Sequence, residues 1–316
     1  MNVLVTGGCG YIGSVLVGLL DRDDRIDRVV VLDDLSTGSP RTLMSSLTRS
    51  IDFVRGDVRD AETVARAMDD CDVVIHLAAI TGAESTHDRR EETESINRDG
   101  TETVLKTAGQ LGVDNVVLAS SCNVYGRATG TELDETADPE PINPYAESKL
   151  EAEQLLSSLG DRFGFDRTAL RMATNHGAAP GVRFNLVVNR FVFQALTDRA
   201  LTVYGDGSNW RPFIHVRDAA RAYAHAALHP DEWTHTVYNV GSDTENHRIR
   251  DVAALIDEEV GAVDVAYRAD EHPGPSYHVS FDRLAETNFT TEWTLREGVR
   301  DLTQRFTDIQ APPLLQ

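Results

Sequence analysis

Lysine is almost missing from this chain: of its thirty basic side chains only Lys106 and Lys149 are lysines, and the rest are arginines. Cysteine is scarce too. Cys9, Cys71 and Cys122 form neither an even set nor a metal-like spacing, which argues against a disulfide framework and suits a reducing compartment. No apolar run approaches the roughly 20 residues needed to span a bilayer. No basic stripe exists, so nucleic acid is excluded as an expected partner. Acidic residues number 51 against 30 basic, a formal charge of −21 that also argues against docking on anionic lipid. The chain opens on the strand-like Asn2-Val3-Leu4-Val5, without room for a signal peptide, and a cytoplasmic location is expected.

What is present is an ordered pattern. Apolar runs such as Val29 to Leu32 and Val73 to Leu77 argue against disorder despite the many acids. An acid-rich, arginine-dominated, lysine-poor composition looks like an adaptation to high salt, in which dilute buffer would leave the acids repelling one another. With 316 residues there is material for one large or two smaller domains.

Short apolar runs alternate with helix-length segments through the first half, which predicts an α/β fold with a doubly wound parallel sheet. Predicted strands are Asn2 to Val5, Arg28 to Leu32, Ile51 to Val54, Val73 to His76, Asn115 to Ala119 and Arg167 to Leu170. Helices are expected over Tyr11 to Leu20, Ala61 to Met68, Glu94 to Leu111 and Tyr145 to Leu159. The last has a capping Asn143, Pro144 at its first position and Gly160 as its expected end. Past about residue 170 the rhythm loosens. Helices are read at Arg183 to Leu196 and Leu295 to Phe306, and short strands and helices mix through Thr202 to Tyr204, Val216 to Leu228 and Val237 to Val240. This predicts a dinucleotide-binding domain over 1–170 and a smaller, partly interleaved α/β substrate lobe over 171–316.

The first strand runs into Thr6-Gly7-Gly8-Cys9-Gly10-Tyr11-Ile12-Gly13-Ser14, which opens a helix. Gly7, Gly10 and Gly13 allow a tight turn and a close backbone approach to a pyrophosphate at the helix N-terminus. Asp33 ends the second strand, twenty residues after Gly13. A carboxylate there accepts from ribose hydroxyls and repels a 2′-phosphate, favouring NAD over NADP; the plainer alternative is a turn-forming Asp. Asp57 follows the third strand, where it can reach adenine or simply cap a turn.

Tyr145 and Lys149 stand at i and i+4, one face of a helix. The ammonium is expected to lower the phenol's pKa from its ordinary value of about 10, making Tyr145 a base near neutrality. Ser121, at the end of the fifth strand, completes a Ser/Tyr/Lys set. Cys122 is read either as buried filler or as a second acid/base. His76, His176 and His215 lack metal-ligand spacing, and no metal is expected. His76 is expected to be a core histidine, Tyr125 a structural or pocket-wall residue, and Trp210 either packing or a base-stacking surface.

Taken together, these segments resemble the extended short-chain dehydrogenase/reductases, in particular the nucleotide-sugar epimerase/dehydratase family. The resemblance is also carried by His76-Leu77-Ala78-Ala79, Asn97-Arg98-Asp99-Gly100-Thr101 and Gly205-Asp206-Gly207 running on to Arg211-Pro212-Phe213-Ile214-His215-Val216. It implies NAD contacts from Tyr11 and Ile12 at the pyrophosphate and from Asp33, Asp34 and Ser36 at the adenosine ribose. It places Asp57 and Val58 at adenine, and Leu77, Ala78, Ala79 and Asn97 along the cofactor. It makes Tyr145 the acid/base, Ser121 the holder of the reacting oxygen, Lys149 the partner of the nicotinamide ribose and Arg211 the residue for a substrate diphosphate, with Asn185 and Asn189 toward the sugar nucleotide. A homodimer through Glu94 to Leu111 and Tyr145 to Leu159 is implied as well.

Departures from the family pattern narrow the expectation. Dehydratases of the family carry an Asp-Glu pair where this chain has Cys122-Asn123, and decarboxylating relatives use a Glu at Asn123. Thr174, followed by Asn175, stands where the family has a substrate-contacting Asn. The Asp33-Asp34-Leu35-Ser36-Thr37-Gly38 stretch is most similar to UDP-sugar 4-epimerases. The reading is therefore a nucleotide-sugar 4-epimerase acting through a transient 4-keto sugar. A net sugar-nucleotide oxidoreductase and a non-catalytic NAD-binding protein remain the alternatives.

Overall fold

The computed structural model describes residues 1–309 apart from 45–46, 49, 129–131, 198, 262 and 272–273. Six strands of the first half, β1 (Asn2–Thr6), β2 (Arg28–Asp33), β3 (Asp52–Arg55), β4 (Val73–His76), β5 (Asn115–Ser121) and β6 (Asp166–Met172), build a parallel sheet. Val3, Leu4 and Val5 have no exposed surface, because helices cover both faces and the strand has no outer side.

The second half contributes β7 (Thr174–His176), β8 (Leu201–Tyr204), β9 (Trp210–His215), β10 (Val237–Val240), β11 (Asn246–Arg248) and β12 (Val265–Arg268). Of these, β10 returns to the main sheet beside β6, giving the order β10-β6-β5-β4-β1-β2-β3. The chain thus re-enters the first layer after residue 170. The remaining strands form two small sheets, β11-β9-β7 and β12-β8.

Three apolar clusters hold these layers. One face of the main sheet packs against helices Gly13–Leu20 and Val216–Leu228, and the other against Ala61–Met68, Gly100–Leu111 and Pro144–Phe163. The third lies in the C-terminal lobe among Val187–Leu196, Ile249–Val260 and Leu295–Ile309. No helix among the described residues is long and apolar enough to cross a membrane.

Two boundaries differ from expectation. The helix opened by Asn143, whose side chain accepts from the Ala146 N–H, runs through Gly160 to Phe163 and ends at Gly164, φ +84°. Gly160 is interior because the Arg167 side chain lies over it, so its lack of Cβ serves packing, not termination. The segment from Arg183 begins as loop, and its helix starts at Val187. The expected Glu94 to Leu111 helix is continuous, but its first part, Glu94–Asp99, is wound in wider turns.

Strand order reverses around β1, with β2 and β3 on one side and β4 and β5 on the other. The crevice beyond the C-terminal ends of β1 and β4 is where such sheets bind ligands. The glycine loop, Asp33, the 77–80 loop and Ser121 all leave the sheet at that edge.

Candidate active site

The loop from Thr6 to Gly13 is shaped by close approach. Gly7 has φ +71°, and a methyl on it would lie 2.8 Å from the Ala78 nitrogen. A methyl on Gly10 would meet only the Gly7 carbonyl, at 3.2 Å, which leaves a backbone-lined cradle ahead of helix Gly13–Leu20.

At the end of β2, Asp33 accepts from the Cys9 N–H and the Leu35 N–H, each at 2.9 Å. Burial pushes its carboxyl up. Asp34 accepts from the backbone and hydroxyl of Ser36, at 2.9 and 2.7 Å. Asp57 is gripped by Arg59, whose hydrogen bonds and charge lower its pKa. The Val58 side chain points into the core against Gly100, so only its backbone is available to a ligand.

Leu77 and Ala78 hang from Thr6, through its carbonyl at 3.1 Å and its hydroxyl at 3.2 Å, and Ala79 follows in the same loop. Asn97 braces this loop. Its oxygen accepts from the Ile80 N–H at 2.7 Å, and its amide donates to the Ile80 carbonyl and the Ser148 hydroxyl, each at 2.9 Å. Both its donors are occupied by protein, so the expected cofactor-lining role reduces to holding residues 77–80 against helix Pro144–Phe163.

Ser121 caps the short turn Cys122–Tyr125, its hydroxyl accepting from the backbone and side chain of Asn123 at 3.2 Å. The same hydroxyl lies toward Tyr145 and lowers the phenol's pKa. Burial outweighs this, and Tyr145 titrates above its ordinary value. Lys149 lies beside Tyr145, as the i, i+4 spacing implied, but its hydrogen bond goes elsewhere. Its Nζ lies 5.9 Å from the Tyr145 ring centre and donates to the Ala119 carbonyl at 2.8 Å. Burial lowers Lys149 to about 8, and the neighbouring Glu153 works against that shift. A second positive charge acts on Tyr145, that of Arg183, which no sequence pattern singled out.

The expected sugar-side residues fare differently. Asn189 is fully buried and spent on protein. It accepts from the Gly177 N–H at 3.0 Å and donates to the Tyr11 hydroxyl and the Arg183 carbonyl at 3.3 and 3.0 Å. It shapes the loop below the pocket and has no donor left for a sugar. Tyr11 in turn donates to the Gly177 carbonyl at 2.6 Å. Asn185 is exposed and accepts from Arg183 Nε at 3.2 Å. Arg211 lies over the Tyr277 ring, 4.6 Å from its centre, and donates to the carbonyls of Trp210 and Pro275. Tyr277 donates to Asn123 at 2.9 Å, connecting Arg211 to the Ser121 turn.

Cys122 is buried with its Sγ 3.1 Å from the Arg171 carbonyl, and burial pushes the thiol far up. This is the packing role. His76 sits between the Thr6 and Thr101 hydroxyls at 2.7 and 3.0 Å and is pushed down to about 3 by burial, a core histidine. His176 meets His215 edge-on at 5.3 Å, and His215 stacks on Trp293 at 4.3 Å; burial favours the neutral form of both. Trp210 packs against His278 and under Arg248, and Tyr125 is a structural hub bonded to Asp134, Asn239 and Arg171. Among the described residues no cluster of His, Cys, Asp and Glu is fit to hold a metal.

The model of the NAD dependent epimerase/dehydratase family matches residues 3–241. This chain belongs to that family. A curated relative in Haloferax volcanii, low-salt glycan biosynthesis protein Agl12, is 31% identical over 304 residues, 95% of this chain and 96% of its own. The solved structure of a Thermus thermophilus UDP-glucose 4-epimerase in complex with NAD has a TM-score of 0.84 at 30% identity, covering 97% of this chain and 99% of that one. A dTDP-glucose 4,6-dehydratase of Mycobacterium tuberculosis is 32% identical over 224 residues, 69% of this chain and 66% of its own. Like its family, the chain is an NAD-dependent enzyme, and its residues fit that cofactor. The open cradle at Gly10 leads to a helix N-terminus, and an acid stands at the end of β2 where a ribose would lie.

Proposed function

We propose that this family member is a nucleotide-sugar 4-epimerase acting on a UDP-linked hexose. The observation that carries this reading is the Cys122-Asn123 pair beside Ser121. A dehydratase needs a second acid and base at that place. Here Cys122 is buried with a thiol pushed far above neutrality, and Asn123 is an amide bonded to Ser121 and Tyr277. One phenol is left to handle one proton, which suffices for epimerisation.

In the proposed cycle Tyr145 takes the proton from the sugar 4-hydroxyl, and Ser121 donates to the same oxygen as its charge grows. Ser121 and Arg183 both favour the phenolate and offset part of the burial that opposes it. When bound, NAD supplies a reversible acceptor for the hydride on the sugar carbon. Gly7, Gly10, Tyr11, Ile12 and Gly13 would hold its pyrophosphate. Asp33, with Asp34 and Ser36, would take the adenosine ribose, the backbone at Asp57 and Val58 the adenine, and Lys149 the nicotinamide ribose. Arg211 would hold the substrate diphosphate as a permanently charged fork. Tyr145 finally returns its proton to the same oxygen, so the reaction leaves no net redox change.

We further propose a cytoplasmic homodimer through the outer faces of helices Glu94 to Leu111 and Tyr145 to Leu159, and a functional division between an NAD-binding part, 1–170, and a substrate lobe, 171–316. Incubation of the purified protein with UDP-glucose and UDP-galactose, without added NAD, should interconvert the two. Stoichiometric NADH formation would instead establish a net oxidoreductase, and a 4-keto-6-deoxy product a dehydratase.

A further inference from the structure

The loop between β7 and helix Val187–Leu196 carries a guanidinium with no carboxylate partner among the described residues. Arg183 is fixed at its root: its carbonyl accepts from Asn189 at 3.0 Å and its Nε donates to Asn185 at 3.2 Å. Its two terminal nitrogens make no hydrogen bond or ion pair among the described residues. The chain has 51 acidic side chains, and many arginines in its interior or at its surface find one. A half-buried cation left without one is costly unless something else supplies the charge.

Its position says where that charge would come from. Arg183 acts electrostatically on both Tyr145 and Tyr11. A methyl on Gly82 would lie 3.9 Å from its Nη2, so the fork reaches across to the loop that follows β4. Arg211 is joined to the Ser121 turn through Tyr277 and Asn123. Two arginines therefore come near the Ser121–Tyr145 pair, Arg211 through Tyr277 and Asn123 and Arg183 through its charge. With the diphosphate assigned to Arg211, Arg183 is left for the sugar ring. A planar fork with two free nitrogens matches a carboxylate better than a hydroxyl.

We propose that Arg183 forms an anion subsite for a carboxylate on the sugar ring, making the substrate a nucleotide-linked sugar acid. This rests on the nucleotide-sugar reading above and deepens it. The loop's own bonds to Asn185 and Asn189 hold the fork in place before substrate arrives, so little ordering is needed when the carboxylate binds.

The test uses the full-length protein with its cofactor, and UDP-glucuronate and UDP-glucose as probes. Wild type should show a kcat/KM at least roughly tenfold higher for the uronate. Arg183→Met should lower the uronate-to-glucose ratio about a hundredfold, and Arg183→Lys should recover part of it, a charge without the fork. An equal wild-type preference, or a loss of the same factor on both sugars in Arg183→Met, overturns the proposal. Calorimetric binding of the two nucleotides separates this from failure of the epimerase reading. Tighter, Arg183-dependent binding of the uronate without turnover supports the subsite while sinking 4-epimerisation. Equal binding, or binding of neither, overturns the subsite.

Discussion

Glu153 and Arg171 meet in a buried bidentate ion pair, with Nε to Oε1 at 2.9 Å and Nη2 to Oε2 at 2.8 Å, directly behind Lys149. Both are less than a tenth exposed, as is Lys149. Glu153 stands four residues after Lys149 on the same helix, so the face that carries Tyr145 and Lys149 continues into this carboxylate. Ser120 from β5 also donates to Glu153 Oε1, and Arg171 Nη1 donates to the Tyr125 hydroxyl.

The pair should set the alkaline limit of activity. Lys149 is lowered to about 8, so its charge, present at neutral pH, is lost as pH rises through that value. Around it stand Tyr145 and Glu153 on its own helix, His76 on β4 and Arg171 on β6. Glu153→Gln removes the one negative charge holding Lys149 protonated, and the fall in kcat should move down by about one pH unit. Arg171→Met frees Glu153 from its counter-charge, and the fall should move up. Each variant should also lose about 3–5 kcal/mol of stability, because each leaves a buried charge without its partner. Opposite shifts in the two pH profiles would separate this electrostatic role from mere loss of packing; shifts in the same direction would end it.

Tyr145→Phe should lower turnover by roughly 10²–10⁴-fold while the protein still purifies with NAD. The phenol touches neither the glycine loop nor Asp33. Full activity in this variant, followed by product analysis of the sugar nucleotide, would rule out the phenol as the proton carrier.

Cys122→Ala should stay within about threefold of wild-type kcat and lose about 1–2 kcal/mol of stability in urea unfolding, because the thiol is neutral and buried. A loss of activity beyond roughly a hundredfold would reinstate the cysteine as an acid/base.

Asp33 should decide the cofactor. Wild-type protein should bind NAD at least about a hundredfold tighter than NADP in a fluorescence titration, since a 2′-phosphate would meet the carboxylate at the end of β2. Asp33→Ala should narrow the gap chiefly by weakening NAD. It also removes the acceptor of the Cys9 and Leu35 N–H groups, so near-UV circular dichroism should accompany the titration.

The charge of −21 makes salt a variable of stability. Unfolding midpoints in urea should rise between dilute buffer and molar KCl, as screening relieves repulsion among the surface acids. An unchanged midpoint would show that the composition carries no such adaptation.

Much of this architecture could be read from residue order. Fully buried parallel strands are short apolar runs, and β1 to β6 fall where those runs lie, each within a few residues. The glycine loop and Asp33 were legible because their spacing encodes a turn and an end-of-strand position. What spacing could not encode was direction. Tyr145 and Lys149 share a helix face, yet the hydrogen bond of Lys149 reaches back to Ala119, and Arg183 adds its charge to the phenol. Arg183 lies in a loop, where no period announces a contact. The resemblance turned Asn189 toward the sugar nucleotide, but the Gly177 turn consumes it. Gly160 had the look of a helix end, and only the crossing Arg167 shows why a small residue is needed inside. The short strands β7, β9, β11 and β12, with helix Ile249–Val260, were not separable from loop because each buries only a few residues against neighbours distant in sequence.

The Tyr11 hydroxyl joins two regions more than 160 residues apart, donating to the Gly177 carbonyl and receiving from Asn189. One end of this tether is the glycine loop proposed to hold the dinucleotide, and the other carries Arg183, proposed to meet the sugar. Letting a product out by moving the Gly177–Arg183 loop would tug on the cofactor's own seat. Rapid exchange of sugars and firm retention of the dinucleotide are thus competing demands on a single phenol, and whichever ligand enters first prepares the ground for the other.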